Sequence, residues 1–131
     1  MKKISSTYIL IGIAVIGIGL IVGAKLMESK ASAVPAGKYT EFAQCISDKG
    51  AKFYGAFWCP HCAEQKALFG DAVDKLPYVE CSTPDKQNQT QVCIDAEIKS
   101  YPTWSFADDK KLPGLLSVEK LAEVTTCELP K

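Results

Sequence analysis

Two cysteines separated by two residues lie in the stretch Phe57-Trp58-Cys59-Pro60-His61-Cys62 of this 131-residue chain. The preceding run, residues 51–57, is rich in aromatic side chains and short enough for a buried strand. The segment that follows has apolar residues at helical spacing, and one face of that helix would carry Ala67, Leu68, Ala72 and Leu76. A strand, a Cys-x-x-Cys pair and a helix in this order indicate a reversible disulfide.

The two cysteines are expected to differ in role. If the helix begins near Cys59, unpaired backbone N–H groups and the positive end of the helix dipole favour an anionic sulfur there. Pro60 suits the first helical turn because its missing N–H removes no hydrogen bond, and a partly protonated His61 adds a positive charge beside the same sulfur. We therefore predict that Cys59 is the nucleophile. Cys62, one turn deeper, would resolve the mixed disulfide that Cys59 forms with a partner.

Other uses of a Cys-x-x-Cys pair are a zinc site, a haem attachment site and an inert disulfide. Zinc needs about four ligands, but there is no second closely spaced cysteine pair, and His61 is the single histidine. Haem attachment requires a histidine directly after the second cysteine, and position 63 is alanine. We expect no metal and no other cofactor. An inert disulfide in an extracellular binding module stays an alternative.

Charge and hydropathy bound the possible partners. The 15 basic and 15 acidic side chains balance and are interspersed, which argues against a nucleic-acid partner.

Residues 4–24 carry no charge, and as a helix they would span roughly 30 Å, about one bilayer core. We predict that this segment is a retained membrane anchor. Cleavage as a signal peptide is the alternative, since residues 22–24 and 31–33 both resemble small-residue cleavage sites.

Cysteine usage predicts the compartment. All six cysteines follow the apolar segment, at Cys45, Cys59, Cys62, Cys81, Cys93 and Cys127. An even number beyond a membrane signal indicates an oxidising, extracytoplasmic compartment, such as the periplasm, the cell surface or a thylakoid-type lumen. We expect an anchor or signal segment at 1–28, a linker rich in Ser, Ala, Pro and Gly at 29–37, and a folded domain at 38–131.

Hydrophobic periodicity predicts alternating strands and helices in this domain. After a short helix that ends before Gly50, the predicted elements are a strand at 51–57, a helix at 59–75, a strand at 78–81, a helix at 90–99, strands at 103–107 and 111–115, and a last helix capped by Ser117. The helix at 90–99 would partly bury Val92, Ile94 and Ile98. A parallel crossover followed by a hairpin gives an α/β domain with one mixed four-stranded sheet flanked by helices.

This order resembles the thioredoxin fold over most of residues 38–127, since Trp58-Cys59-Pro60-His61-Cys62 is followed about forty residues later by Tyr101-Pro102-Thr103. The resemblance implies that the Tyr101–Pro102 peptide bond is cis and that Pro102 lies against the active-site disulfide. Trp58, Tyr101 and Thr103 would contact the substrate. Trp58 and Trp104 are each candidates for a wall of the site, and packing in the core is the alternative for both.

A closer resemblance is to the thioredoxin-like, DsbA-like domain of bacterial and plastid vitamin K epoxide reductase homologues. It rests on residues 53–62 together with Gln65-Lys66, Leu68-Phe69-Gly70, Tyr78-Val79-Glu80-Cys81 and Tyr101-Pro102-Thr103-Trp104. The resemblance implies that a quinone-linked membrane enzyme of that class reoxidises the disulfide. Such domains are often fused to the membrane enzyme, whereas here a single apolar segment takes its place. We therefore expect the partner to be a separate protein.

The other four cysteines could pair in three ways once Cys59 and Cys62 are set aside. The related domain has a disulfide in the place that matches Cys81–Cys93, which leaves Cys45–Cys127 as the second pair. We expect both disulfides to be structural. The alternative is that one of them relays electrons between Cys59 and the membrane partner.

The residues around Cys59 predict the direction of electron flow. Pro-His is the dipeptide of the strongly oxidising DsbA-like proteins, and an imidazolium that stabilises the Cys59 thiolate raises the reduction potential. Reductive thioredoxins carry a buried aspartate six residues before the first cysteine, where this chain has Phe53. We predict a membrane-tethered oxidase that donates its disulfide to reduced secreted proteins. A tethered reductase, as in cytochrome maturation, and a disulfide isomerase are the alternatives.

Overall fold

The structure is a computed structural model that describes residues 34–131. Its helices are α1 (Thr40–Asp48), α2 (Pro60–Ala67), a 3-10 helix (Gly70–Lys75), α3 (Gln91–Asp95) and α4 (Val118–Thr125). Its strands are β1 (Lys52–Gly55), β2 (Tyr78–Glu80), β3 (Thr103–Ser105) and β4 (Lys111–Pro113). The predicted order of elements is confirmed, and each strand is shorter than predicted. Ser117 caps α4 as predicted, since its Oγ accepts a hydrogen bond from the Lys120 N–H.

The four strands form one mixed sheet in the order β2-β1-β3-β4. Strand β1 runs parallel to β2, with Gly55 opposite Glu80, and antiparallel to β3, with Phe53 opposite Trp104. Strand β4 pairs with β3 as an antiparallel hairpin. This arrangement confirms the predicted mixed four-stranded sheet. Because β1 and β2 are parallel, the chain leaves both strands at the same edge of the sheet, where Cys59 follows β1.

Aromatic rings from three neighbouring strands form the middle of the core. Phe53 of β1 stacks on Trp104 of β3 with 4.9 Å between ring centroids, and Tyr78 of β2 meets Phe53 edge-on at 5.2 Å. Such pairs add about 0.5–1.5 kcal/mol to the stabilisation from burial alone. Trp104 is fully buried, so it belongs to the core and does not form a wall of the active site.

The predicted continuous helix at 59–75 is wrong beyond α2. Gly70 has a φ of +57°, in the left-handed region, and the chain continues as the 3-10 helix. This turn directs Phe69 into the core, where its ring stacks on Phe42 of α1 at 6.0 Å. The residues that α2 and the following turn bury include Cys62 and Phe69. Ala67 points away from them and is exposed, contrary to the prediction.

Helix α3 is much shorter than the predicted helix at 90–99. Val92 and Ile94 are each 50% exposed, so their predicted burial is wrong, whereas Ile98 beyond the helix is buried as predicted. The reason is that Cys93 points inward and is fixed there by a disulfide, which turns its two apolar neighbours toward solvent.

Two disulfides tie distant parts of the domain together. Cys81 is bonded to Cys93 across a sequence separation of 12, and Cys45 to Cys127 across a separation of 82. These are the pairs that the resemblance implied. In the chain-entropy model, loops of these lengths add roughly 3 and 4.5 kcal/mol to the free energy of unfolding. The second bond joins α1 to the chain beyond α4.

The last part of the predicted linker at 29–37 lies within the described residues. The Gly37 N–H donates to both carboxylate oxygens of Asp71, at 3.0 and 2.9 Å, so the end of the predicted linker contacts the domain. The predicted membrane segment at 4–24 lies outside the described residues. Within residues 34–131, no helix has the length and apolar character needed to cross a membrane.

A buried glutamine connects α2 to β3 and to the segment after β4. Gln65 is fully buried. Its Oε1 accepts hydrogen bonds from Trp104 Nε1 at 3.2 Å and from the Leu116 N–H at 2.8 Å, and its Nε2 donates to the Leu116 carbonyl at 3.0 Å. These three bonds fix the position of α2, and hence of Cys62, relative to the sheet.

The substitution Gln65→Leu keeps the volume but leaves the Trp104 indole N–H and both Leu116 backbone groups without partners. We expect the free energy of unfolding in urea to fall by about 2–4 kcal/mol, because an unpaired buried polar group costs about 1–3 kcal/mol. The control Gln44→Leu, on the exposed side of α1, should change it by less than about 0.5 kcal/mol. Equal stability of the two variants would contradict this role of Gln65.

Candidate active site

A tight turn carries the chain from β1 into α2. The Cys59 N–H donates to the Ala56 carbonyl at 3.0 Å across this turn, and Phe57 and Trp58 lie at its centre. Cys59 is the N-cap of α2, and its Sγ accepts a hydrogen bond from the Cys62 backbone N–H at 3.3 Å. The sulfur thus faces a backbone donor and the positive end of the helix, and both favour a thiolate.

The two active-site thiols are reduced and lie in different environments. Cys59 is 6% exposed and Cys62 only 1% exposed. Burial raises the pKa of Cys62 to about 12, and its hydrogen bond with Cys59 contributes to the rise. Cys62 therefore remains a protonated thiol at neutral pH. This asymmetry fits the predicted roles of Cys59 as nucleophile and Cys62 as resolving thiol.

Gly55, the last residue of β1, makes room for the Cys62 sulfur. A Cβ at this position would lie 2.9 Å from both Cys62 Sγ and Tyr78 Cε2, which is closer than a Cβ atom comes to non-bonded atoms in real proteins. Lys66, one turn beyond Cys62 on α2, places its Nζ 3.4 Å from the centre of the Tyr78 ring. Its positive charge opposes only a small part of the rise in the Cys62 pKa. Any side chain at position 55 would displace the sulfur or the ring.

Pro60 and His61 are exposed in the first turn of α2, where Pro60 is the first helical residue. His61 Nδ1 lies 3.2 Å from Glu64 Oε2, and these two side chains are 66% and 60% exposed. Solvent screens an exposed pair of this kind. His61 therefore lies on the exposed surface of α2, beside Glu64.

The Tyr101–Pro102 peptide bond is cis, as the resemblance implied. Pro102 is buried, and its carbonyl accepts a hydrogen bond from the Gly114 N–H at 2.8 Å. The Tyr101 ring meets the Trp58 ring edge-on, with 6.2 Å between the centroids. Trp58 is 46% exposed. The structure thus brings Tyr101 into contact with Trp58, the residue that precedes Cys59.

The side chain of Thr103 is not available to a substrate. Thr103 is 4% exposed, and its hydroxyl donates a hydrogen bond to the Ser100 carbonyl at 2.8 Å. The predicted substrate contact could therefore come only from its backbone. Thr103 directly follows Pro102 and is the first residue of β3. Its side chain points toward the core, so it is buried whether or not a neighbouring residue reaches the site.

Sequence reasoning assigned no role to four polar residues that support the site. They are Gln65, Glu80, Ser82 and Gln89, whose side chains hold α2, the turn before Cys59, the Trp58 indole and the Tyr101 hydroxyl respectively. A polar residue in a helix or at the end of a strand is usually solvated, so periodicity gives no signal. Gln65 and Glu80 do belong to the stretches that carry the resemblance to the reductase-associated domain, and that signal could have found them.

The geometry can support reversible thiol–disulfide exchange. Oxidation of the Cys59–Cys62 pair would release two electrons and two protons and form one S–S bond. Within the described range 34–131, no three His, Cys, Asp or Glu side chains converge as the ligands of a metal ion would.

Comparison with known proteins agrees with this geometry. The family model described as Thioredoxin matches residues 36–125, which include all four strands, the Cys59–Cys62 pair and Pro102. A curated relative is the thiol-disulfide oxidoreductase LTO1 of Arabidopsis thaliana, which is 45% identical to this chain over 87 residues. The match covers 63% of this chain and 23% of the plant protein. The chain therefore spans less than a quarter of the length of this relative.

Alkylation kinetics test the environment of Cys62. In the Cys59→Ser variant, Cys62 is the one reduced thiol, and we expect iodoacetamide to modify it at least about tenfold more slowly than free cysteine at pH 8, because only the thiolate reacts. With its pKa raised, the rate should keep increasing with pH beyond 9.0, the ordinary cysteine value. The control Cys62→Ser, which leaves Cys59, should react faster. Equal rates for the two variants would contradict the asymmetry.

Proposed function

Because this chain belongs to the thioredoxin family, we propose that it is a thiol-disulfide oxidoreductase that donates its Cys59–Cys62 disulfide to the thiols of secreted proteins. The protein would be tethered to a membrane, with its domain in an extracytoplasmic oxidising compartment such as the periplasm, the cell surface or a thylakoid-type lumen. A separate quinone-linked membrane enzyme of the vitamin K epoxide reductase class would reoxidise it. The name of the plant relative supports the type of chemistry.

The direction of transfer rests on one observation, the hydrogen bond from the Cys62 N–H to Cys59 Sγ at the start of α2. This bond and the helix dipole stabilise a sulfur anion that exists only in the reduced protein. Stabilising the reduced form raises the reduction potential, so the disulfide is more readily given to another dithiol. Phe53, where reductive thioredoxins have aspartate, is fully buried. Position 53 therefore supplies no carboxylate to accept the Cys62 proton.

One cycle in this direction moves two electrons from a substrate dithiol to the protein, and of the two thiol protons one ends on Cys62 and the other passes to solvent. A substrate thiolate attacks Cys59 Sγ and breaks the S–S bond, and Cys62 leaves as a thiolate that takes up a proton because its pKa is raised to about 12. The second substrate thiolate then attacks the substrate sulfur of the mixed disulfide. This step releases Cys59 as the leaving thiolate and leaves the substrate oxidised.

The proposed location and partner have separate support. Two further disulfides are typical of proteins in oxidising compartments. The uncharged run at 4–24 supports a membrane anchor. A disulfide donor becomes reduced in every cycle and needs an electron acceptor, and a quinone-linked oxidase in the same membrane would supply one.

The reduction potential of the Cys59–Cys62 couple tests the direction of transfer. We expect the full chain, equilibrated with glutathione buffers, to give a value of about −120 to −200 mV, the range of disulfide donors. Alkylation followed by mass spectrometry measures this couple specifically. A chain with reduced Cys59 and Cys62 gains two alkyl groups, while the other two disulfides remain oxidised and unmodified. A value at or below about −250 mV would instead identify a tethered reductase.

Trapping tests the proposed partners. The Cys62→Ala variant lacks the resolving thiol, and we expect it to accumulate mixed disulfides through Cys59 with secreted proteins and with a membrane oxidase. These adducts should disappear on reduction and should be absent from the Cys59→Ala/Cys62→Ala control. Adducts that include no membrane protein would contradict the proposed reoxidation by a separate membrane enzyme.

A further inference from the structure

One carboxylate connects three parts of the chain next to the active-site turn. Glu80, the last residue of β2, is half-buried. Its Oε1 accepts hydrogen bonds from the Phe57 N–H at 3.3 Å and from the Ser82 N–H at 2.8 Å, and its Oε2 accepts one from the Tyr78 hydroxyl at 2.7 Å. Burial and this last bond raise the pKa of Tyr78, so its hydroxyl keeps its proton and remains a donor.

Ser82 extends the same network to the exposed ring beside Cys59. The Trp58 Nε1–H donates to Ser82 Oγ at 2.8 Å, and this Oγ donates in turn to the Thr83 carbonyl at 3.0 Å. The indole nitrogen is thus anchored although 46% of Trp58 is exposed. Both central residues of the turn are held from the end of β2, Phe57 through its backbone and Trp58 through its side chain.

A carboxylate at position 80 can accept hydrogen bonds from all three donors. It offers two oxygens with about four acceptor sites and carries no competing donor. A glutamine there would offer one uncharged oxygen to the two backbone N–H groups, and the Tyr78 hydroxyl would have to accept from its NH2 group instead of donating. Hydrogen bonds to a charged acceptor also contribute more than those to a neutral one. The site therefore uses the charge of Glu80 and not only its polarity.

We propose that Glu80 is a positioning residue for thiol–disulfide exchange. It holds the turn at 56–59 directly and the Trp58 ring through Ser82. Cys59 Sγ is thereby presented to the substrate in one geometry. The inference rests on the proposed oxidoreductase activity. It is independent of the direction of electron flow, because Cys59 forms the mixed disulfide in either direction. Glu80 acts through the turn and not on the sulfur atoms.

The two tryptophans of the chain provide a direct reporter of this arrangement. In a proton–nitrogen NMR spectrum of the full chain, the Trp58 indole N–H reports its bond to Ser82, and the buried Trp104 indole N–H reports folding. Glu80→Gln and Ser82→Ala should each shift the Trp58 signal and leave the Trp104 signal in place. The control Glu128→Gln, at an exposed carboxylate on the C-terminal tail, should shift neither.

The second-order rate constant for exchange between the oxidised full chain and a reduced cysteine peptide tests the functional consequence. Glu80→Gln should lower it about tenfold, which corresponds to about 1.4 kcal/mol of activation free energy. Tyr78→Phe removes one of the three bonds and should lower it by about threefold. Glu80→Gln combined with Ser82→Ala should lose less than the product of the single effects, because both act on the same turn.

The inference is overturned if Glu80→Gln leaves the Trp58 signal and the exchange rate as in the wild type. It is also overturned if the rate falls only in proportion to a loss of the Trp104 signal, since that result indicates unfolding. Failure of the proposed function has a different signature, because the oxidised wild-type chain would then react with the peptide no faster than a small-molecule disulfide does.

Discussion

The placement of two sulfur atoms constrains the rest of this domain. One sulfur must cap the first turn of a helix, and the other must be buried one turn later against the end of a strand. Cys59 meets the first requirement because a tight turn joins β1 directly to α2. Cys62 meets the second because Gly55 has no side chain. Burial then keeps Cys62 protonated while the helix end favours an anion on Cys59.

The sheet order makes the support of this turn possible. Strand β2 runs parallel to β1, so the segment that follows it emerges at the same edge as the turn. Glu80 and Ser82 can therefore reach residues that lie more than twenty positions earlier in the chain. The Cys81–Cys93 disulfide fixes the start of the same segment. A structural disulfide and a polar network thus act together on one short piece of backbone.

The sequence was sufficient for the parts of the fold that depend on local pattern. Hydrophobic periodicity predicted the four strands and the four α-helices in the right order but not the 3-10 helix, and the spacing of Cys59 and Cys62 pointed to the candidate site. The errors arose where distant residues decide. Helix α2 ends early because Phe69 packs on Phe42 of another helix, and Ile94 is exposed because its neighbour Cys93 is bonded inward. The roles of Gln65 and Glu80 were not predicted, because their hydrogen-bond partners are remote in sequence or belong to the backbone.

Gly55 shows that a residue without a functional group can be as constrained as a catalytic one. Its Cα hydrogen lies between the Cys62 sulfur and the Tyr78 ring, and even a methyl group would meet both at 2.9 Å. None of the other nineteen amino acids fits there without moving the buried thiol. In a survey of tolerated substitutions, variants at position 55 would thus be as rare as variants at the two cysteines. Inactivity caused by a mutation in β1 would then reflect lost space and not lost chemistry.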